Sequence, residues 1–474
     1  MARVLFIQEI WFEYFGTMYI SAMLKKHGHE CDVVIEHRLD KIQKAVLETS
    51  PDIIAFSCLT GSYRWCLDAA RSLKHITDAP VVFGGHHPTI SPEIIDEDAI
   101  DIICRGEGEY PMLELADAIG SGDDIGNIQN LWVKSSGGVT KNDMRPLIKD
   151  LDEVPFPDRK LYQKYYYFKR QKVWHVITGR GCPYNCAYCH NHVLSEIFKG
   201  KGPYVRQRSI ENVISEILKL KENVNLKYIF FSDDVISIRK PWLLSFLERY
   251  KEQVRVPFFC TVTPREMDED TVRALKEAGC YHTGLYFETG NEKKRMELLN
   301  KRVPDKEFIR SAALLHRYGI PFYTAAILGL PGETMEDSLE SARFNWVLKP
   351  SYVWSALFQP YPETKLAEYA IKEGYLSAES LSNFNIGAYY KSLMSQKNIS
   401  DIINLQRLFY PASKFPSLLP LIKRLVKLPP NPIFNLIFIA PYVYYLLTIQ
   451  KLTLYQIFKN GLWQLRSFIF SKGR

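Results

Sequence analysis

No Asp or Glu occurs between Ile402 and Arg474, and no fourth cysteine stands near the three gathered in GRGCPYNCAYCHNH, Gly179 to His192. The opening stretch, MARVLFIQEIWFEYFG, carries acidic residues where a secretory leader would be apolar. Each absence excludes something. With no leader and an odd nine cysteines, the chain does not read as an oxidised disulfide scaffold. Cys31, Cys58, Cys66, Cys104, Cys260 and Cys280 stand singly among apolar residues and are expected to be reduced core thiols of a cytoplasmic protein. That leaves Cys182, Cys186 and Cys189 for a metal or a cluster. The acid-free tail holds ten Lys and Arg, so removing it from a net charge of +7 leaves the first 401 residues at −3. The basic character belongs to the tail, not to the body.

What is present is an ordinary globular composition, 46% apolar and 24% charged, over 474 residues, enough for several full cores. Short β-branched runs open the chain: RVLFIQ, CDVVIE, IIAFSC, PVVFGG and DIICRG. They do not alternate, as expected of strands covered on both faces, and helical stretches such as GTMYISAMLKKHG and SYRWCLDAARSLKHI separate them. The pattern predicts a doubly wound, Rossmann-like (flavodoxin-like) α/β domain over residues 1–145, with ligands at the carboxyl ends of its strands. A Pro- and Tyr-rich linker follows over residues 146–170. Six further strand candidates, from VWHVITGRGC to YVWSALFQPYP, alternate with helical segments over residues 171–375. Six units are too few for a closed eight-fold barrel and predict an open, partial (β/α)6 TIM-type barrel. Beyond that the rhythm stops, and residues 376–474 read as a mainly helical, basic and hydrophobic extension.

CxxxCxxC in one loop can direct three thiolates at one centre. Structural zinc takes four ligands, with His190 or His192 available as the fourth, while a cluster held by three cysteines leaves one iron open to a reactant. The loop follows the first strand of the barrel series, on the face where such folds place their chemistry. CxxxCx(aromatic)C in that position closely resembles the radical S-adenosylmethionine (radical SAM) enzymes. The resemblance implies a 4Fe–4S cluster on Cys182, Cys186 and Cys189, whose unique iron chelates S-adenosylmethionine. One-electron cleavage of that molecule gives a 5′-deoxyadenosyl radical that abstracts a substrate hydrogen. By the same resemblance Tyr188 lies against the adenine region, and Asp233 and Asp234 of FSDD take the place of a Gly-Gly-Glu stretch. Glu288 of GLYFETGN falls near the ribose, and Gly329, Pro331 and Gly332 of ILGLPGET lie beside the adenine. QPYPET resembles a PYPGT motif, with Glu363 in place of its glycine. In isolation the two aspartates also read as a helix cap, and the glycines as turn residues.

The first domain resembles the cobalamin-binding domain that precedes the barrel in one radical SAM subgroup. The matching pieces imply cobalamin contacts from Ser57, Leu59 and Thr60, from Gly84, Gly85 and His86, and from Glu107 and Gly108 of RGEGE. The first-strand loop, QEIWFEYFG, has no histidine, so no lower cobalt ligand is expected from it. Cobalamin beside a radical cluster implies methylation of an unactivated carbon by way of methylcobalamin, fed by an external one-electron reductant of flavodoxin or ferredoxin type. Members of the subgroup also cyclise or rearrange substrates, and a corrinoid sensor or carrier is the non-enzymatic alternative.

The run Leu428–Gln450 holds 23 uncharged residues with lysine at both ends, but four prolines and two asparagines interrupt it. It is read as an interfacial segment rather than a span, with a helical cap on the barrel as the alternative. The expectation is therefore a cytoplasmic enzyme, peripheral to the cytoplasmic membrane, acting on a hydrophobic small molecule of lipid or isoprenoid type and not on nucleic acid.

Overall fold

The computed structural model describes residues 1–382, 384, 391–429, 431–459 and 461. The chain divides into two compact units: Met1–Arg170 together with Val193–Arg206, and Gln171–His192 together with Gln207 onward.

In the first unit the β-branched runs form β1 (Arg3–Gln8), β2 (Glu30–Ile35), β3 (Ile53–Ser57), β4 (Val81–Gly84) and β5 (Ile102–Cys104). Two further strands, β6 (Leu131–Ser135) and β7 (Gly138–Lys141), complete a seven-stranded sheet in the order β2-β1-β3-β4-β5-β6-β7. Strands β1 to β5 pair in parallel, which gives the doubly wound flavodoxin-like order. The last two pair antiparallel as a hairpin that the sequence pattern did not bring out. Its signal was the Ser-Ser-Gly-Gly turn in LWVKSSGGVTK. Because β2 and β3 flank β1 on opposite sides, the winding reverses there, and a crevice opens outside the carboxyl ends of β1 and β3. Apolar side chains fill both faces of the sheet: Val4, Phe6 and Val33 pack on one side, and Leu5, Ile54 and Phe56 on the other.

The second unit is built on six parallel strands in sequential order: Val173–Val176, Tyr228–Phe231, Phe258–Thr261, Cys280–Glu288, Phe322–Leu328 and Tyr352–Leu357. The first and sixth do not pair, so the array is open. Alternation along each strand separates two surfaces. Ile229, Phe231, Phe258, Leu285, Phe287 and Val353 pack outward against the helices. Phe230, Phe259, Tyr286, Tyr323, Tyr352 and Trp354 gather on the other side as an aromatic inner face.

Helix starts follow the capping chemistry written in the sequence. The Ser209 hydroxyl accepts from the Asn212 amide at 3.1 Å at the start of Ile210–Asn223. Thr334 and Asp337 form a reciprocal capping box at the start of Met335–Leu348. These caps set where each helix leaves its strand-end loop, and so where the loops that carry the chemistry begin and end.

The carboxyl-terminal region supplies helices Ile399–Lys414, Leu419–Leu425 and Pro432–Thr448. Among the described residues, no helix is long and apolar enough to cross a membrane. Three of the tail's basic residues, Arg466, Lys472 and Arg474, lie outside the described residues.

Candidate active site

All nine cysteines are free. Cys58, Cys66, Cys104, Cys260 and Cys280 are buried in the two cores and Cys31 is half-buried. Cys182, Cys186 and Cys189 lie half-buried on the loop after the first barrel strand. That loop is held from several directions. The Ala187 amide donates to the Leu299 carbonyl, and the Leu366 amide to the Ala187 carbonyl, both at 2.9 Å. The Asn300 side chain donates to the Asn185 carbonyl at 2.7 Å. Asn191 donates to the Cys189 sulfur from its backbone at 3.5 Å and from its side chain at 3.6 Å, and also to Asp234 at 2.9 Å.

The two histidines that made zinc a reading are committed to backbone groups. His190 Nε2 is 3.0 Å from the Pro362 carbonyl, and His192 Nδ1 is 2.6 Å from the Cys189 carbonyl. Burial pushes the Cys182 thiol up to about 12, with the charges of Asp234, Cys189 and Cys186 acting in the same direction. Cys186 and Cys189 are raised as well, first by burial. Mutual influence of this kind means the three sulfurs share one neighbourhood, and thiols raised this far ionise when a metal takes the proton's place. Among the described residues, no three His, Cys, Asp or Glu are drawn together around a single ion. A four-iron cluster binds each cysteine to a different iron and so spreads its ligands wider than one ion does. The donor set fits such a cluster.

Around this loop the predicted strand-end residues fall into two groups. Tyr188 and Glu288 meet: the phenol donates to Glu288 Oε1 at 2.9 Å, and Lys301 Nζ reaches the same oxygen at 2.8 Å. Glu288 closes the fourth strand in a left-handed conformation, φ +65°, a strained geometry for a residue with a Cβ. Glu363 takes the same region, φ +61°, at the place where the resembling motif has glycine.

The others are occupied within the fold. Asp233 accepts from the Thr178 amide at 3.0 Å and its hydroxyl at 2.8 Å, locking the second strand's end to the first strand's exit. Burial pushes its carboxyl up to about 6 against those hydrogen bonds. Ser232 bonds His175 at 2.8 Å. Gly329 has φ +77°, and a Cβ there would sit 3.1 Å from Ile399, so its glycine already has a conformational reason. Its neighbour Pro331 is buried, and the Gly332 amide donates to Gln396 at 3.1 Å. Glu333, a residue that no sequence motif singled out, is buried behind this turn. It accepts from the Leu330 amide at 2.8 Å, and burial raises its carboxyl to about 7.

In the first unit the strand-end loops knit to one another. The Cys58 amide donates to the Gly84 carbonyl at 2.7 Å, and the His87 amide to the Cys58 carbonyl at 3.1 Å. Thr89 Oγ1 donates to the Gly85 carbonyl at 2.7 Å and accepts from the Gly106 amide at 2.9 Å. Gly85 sits at φ +100°, ψ −162°, a region essentially confined to glycine, and a Cβ there would come 3.0 Å from the Cys58 carbonyl oxygen. Ser57 pairs in register with Gly84, and Leu59 begins the short turn Thr60–Ser62. His86 is exposed, whereas His87 is buried with its ring 4.4 Å from that of Tyr63.

Glu107 is taken up inside the unit: its oxygens accept from Arg206 at 2.9 and 3.0 Å and from the Ile148 amide at 2.8 Å. Gly108 leads into helix Glu109–Ser121, where a Cβ would strike Ile20 at 2.9 Å. Thr60 alone of this set presents a buried hydroxyl with no hydrogen-bond partner among the described residues. An orphaned donor at the switch-point crevice suits a large polar ligand that supplies the missing acceptor. Glu9, on the first-strand loop, is a second group that no motif marked; burial raises its carboxyl to about 7. The only hint was a carboxylate within an otherwise apolar loop, QEIWF.

Two strand-end sites of different character therefore stand in one chain: a three-thiol loop on an open parallel barrel, and a polar crevice on a doubly wound sheet. The chain matches the Radical SAM superfamily over residues 176–344 and the B12 binding domain over residues 12–116. It is a radical SAM enzyme that carries an amino-terminal B12-binding domain, and its cofactors are a 4Fe–4S cluster, S-adenosylmethionine and cobalamin.

An uncharacterized methyltransferase of Pyrococcus horikoshii is 29% identical over 371 residues, 76% of this chain and 79% of that one. An anaerobic magnesium-protoporphyrin IX monomethyl ester cyclase of Cereibacter sphaeroides is 24% identical over 413 residues, 83% of this chain and 66% of that one. Among solved structures, the radical S-adenosylmethionine methyltransferase TsrM from Kitasatospora setae superimposes with a TM-score of 0.64 at 19% identity, covering 79% of this chain and 76% of its own. The shared fold is what that last likeness shows.

Proposed function

We propose that the protein methylates an unactivated carbon of a hydrophobic small molecule. The observation that carries the reading is the loop of three free, half-buried cysteines at the carboxyl end of the first barrel strand, in a chain that also bears a B12-binding domain. When bound, the cluster and S-adenosylmethionine supply a one-electron oxidation of a C–H bond, and cobalamin supplies the methyl group.

In this reading Cys182, Cys186 and Cys189 hold the cluster as thiolates. Tyr188 and Glu288 form a hydrogen-bonded wall beside it, with the phenol fixed on the carboxylate and the carboxylate on Lys301. The adenine and ribose of S-adenosylmethionine would lie against that wall, near the turn of Gly329, Pro331 and Gly332. Asp234, tied to the cluster loop through Asn191, would accept from the methionine ammonium, while Asp233 keeps the loop in register. The aromatic inner face of the barrel excludes water and suits an apolar substrate. In the first unit Thr60, with Ser57, Leu59, Gly84, Gly85 and His86 around it, would receive the corrin's polar groups. Glu107 and Gly108 would shape the adjoining loop. We place the domain limits at residues 145, 170 and 375.

An external one-electron reductant of flavodoxin or ferredoxin type is required. The protein would act in the cytoplasm, and its basic, aliphatic carboxyl-terminal region is the part that would bring it to a membrane-borne substrate. The likeness to a cyclase over 83% of the chain favours, as second reading, a ring-forming reaction without methyl transfer.

Anaerobic reconstitution with iron, sulfide and cobalamin, followed by reduction with S-adenosylmethionine, tests both. Formation of 5′-deoxyadenosine is expected, and its absence would overturn both enzyme readings. Methylated product from a hydrophobic acceptor supports the first; 5′-deoxyadenosine with a dehydrogenated or cyclised but unmethylated product supports the second.

A further inference from the structure

Apart from Asn435, which accepts from Arg407, the helix Pro432–Thr448 is apolar around its circumference, yet only one of its faces is packed. On the inner side Phe434 enters the barrel's core cluster, and Tyr445 stacks on Tyr352 with ring centroids 4.9 Å apart. Tyr442 packs on Trp354 at 5.2 Å. The chain then runs beneath the strands: Tyr281 donates to the Ile449 carbonyl at 2.8 Å, and the Lys451 ammonium lies 5.3 Å over the Tyr228 ring. Tyr228, Tyr281 and Tyr352 all stand at or next to the first residues of their strands. The segment is therefore the floor of the barrel, at the mouth opposite the cysteine loop.

The outer side is bare. Ile433 is 64% exposed, Leu436 65% and Ile439 44%, and Tyr444 and Leu447 continue the same face at helical spacing. Leu454 and Phe458 extend it, 72% and 65% exposed. Among the described residues, twelve of the nineteen exposed large hydrophobics fall from Phe415 onward. A patch of this density on a helix with no polar face calls for a cover.

The charge around the patch selects the cover. No Asp or Glu occurs from Ile402 to Arg474, while Lys423, Arg424 and Lys427 precede the helix, the first and last of them in exposed surface pairs with Glu336 and Asp401. An apolar face within a stretch of sequence that carries cations and no acids is complementary to a surface of buried acyl chains and anionic headgroups. We propose that this helix is an interfacial anchor: Ile433, Leu436, Ile439 and Leu447 lie in the headgroup zone of an anionic bilayer, and the exposed Lys423, Arg424 and Lys427 before the helix meet its phosphates. The anchor is independent of which reaction the site performs. Only the inference that the substrate is drawn from the same membrane rests on the methylation reading.

The test is co-sedimentation of the full, cluster-loaded chain with vesicles of phosphatidylcholine alone or of phosphatidylcholine with phosphatidylglycerol, at low and high salt. Binding to the anionic vesicles is expected, weakened by salt, and at least tenfold weaker in the double variants Ile433→Ser/Leu436→Ser and Leu436→Glu/Ile439→Glu. Formation of 5′-deoxyadenosine serves as the folding control, since these side chains point away from the barrel's interior. No vesicle binding by the wild-type chain, or binding unchanged in both well-folded variants, would overturn the anchor while leaving the reaction reading intact. Self-association of the wild-type chain that the variants abolish, without vesicle binding, would assign the face to a second copy of the chain and likewise overturn it.

Discussion

The two strand-end sites are organised by opposite means. In the barrel, all three cluster cysteines come from one eight-residue span, and the surroundings hold that span through side chains and backbone of several distant elements. In the amino-terminal unit, the strand ends and loops of β3, β4 and β5 each contribute two or three residues, and their register rests on backbone hydrogen bonds, on the Thr89 hydroxyl and on Gly85. A site whose ligands are contiguous can be broken by removing one ligand and leaving the fold. A site assembled from several loops is broken by disturbing the backbone that aligns them.

The largest effect is expected at the contiguous site. Cys186→Ala leaves two thiolates where a cluster needs three, and the half-buried position tolerates the smaller side chain. After anaerobic reconstitution the variant should lack the visible absorbance of the iron–sulfur chromophore and form no 5′-deoxyadenosine, with its melting temperature before reconstitution near that of the wild type. A variant that retains the chromophore and turns over would remove this cysteine from the cluster. Cobalamin binding, measured on the same sample, should persist, and its loss would contradict the independence of the two sites.

At the assembled site the corresponding change is Gly85→Ala. The added methyl meets the Cys58 carbonyl at 3.0 Å, and φ +100° is unsuited to an L side chain. Strain of this kind destabilises by about 3 kcal/mol, and the first unit should shift its melting transition accordingly. Because the same turn sets the position of the Cys58–Thr60 loop, cobalamin affinity should fall by more than tenfold while the cluster still assembles. Unaltered affinity in a protein of lowered stability would show that the ligand does not use this backbone.

This difference also governs what the sequence made legible. The helical runs of the barrel series were legible because periodicity is local, and helices Ile210–Asn223 and Met335–Leu348 fall on them; their caps at Ser209 and at Thr334 with Asp337 are what the structure adds. The cysteine loop was legible for the same reason. The hairpin of β6 and β7 was not read, since its strands are short and half-polar, although its double glycine marked the turn. Glu107 looked like a ligand-loop residue, but its partner Arg206 lies 99 positions away, beyond any local pattern. Gly329 resembled part of a cofactor motif, and the space a Cβ would take there is also approached by Ile399 of a later helix, a contact that only the fold reveals. Periodicity and spacing speak about neighbours in sequence, so a site built across many loops stays silent until the chain is folded.

The smallest of the expected effects separates side-chain from backbone support by pH. Glu333 lies under the Gly329–Gly332 turn, with Leu330 donating to it at 2.8 Å. Burial raises its carboxyl from 4.5 to about 7, with the Lys294 charge opposing that rise. A carboxyl raised in the folded state holds a proton that the unfolded chain has already released. Its stabilising contribution is therefore fully present below about pH 4.5 and is lost as pH rises through 7. Glu333→Gln keeps an acceptor for the Leu330 amide and removes the ionisation. A tenfold difference in proton affinity between the folded and unfolded chain corresponds to ~1.4 kcal/mol. Over the shift from 4.5 to about 7, the variant should gain roughly 2 kcal/mol over the wild type as pH rises from 5 to 8, and a pH-independent change in hydrogen-bond strength cancels in that difference. Glu9, also raised to about 7, titrates in both proteins and cancels in the difference. Paired urea denaturation curves across that range measure the gain; a difference that stays flat with pH would mean the buried carboxylate is solvated or paired in the folded protein, and that the barrel's turn does not depend on its ionisation.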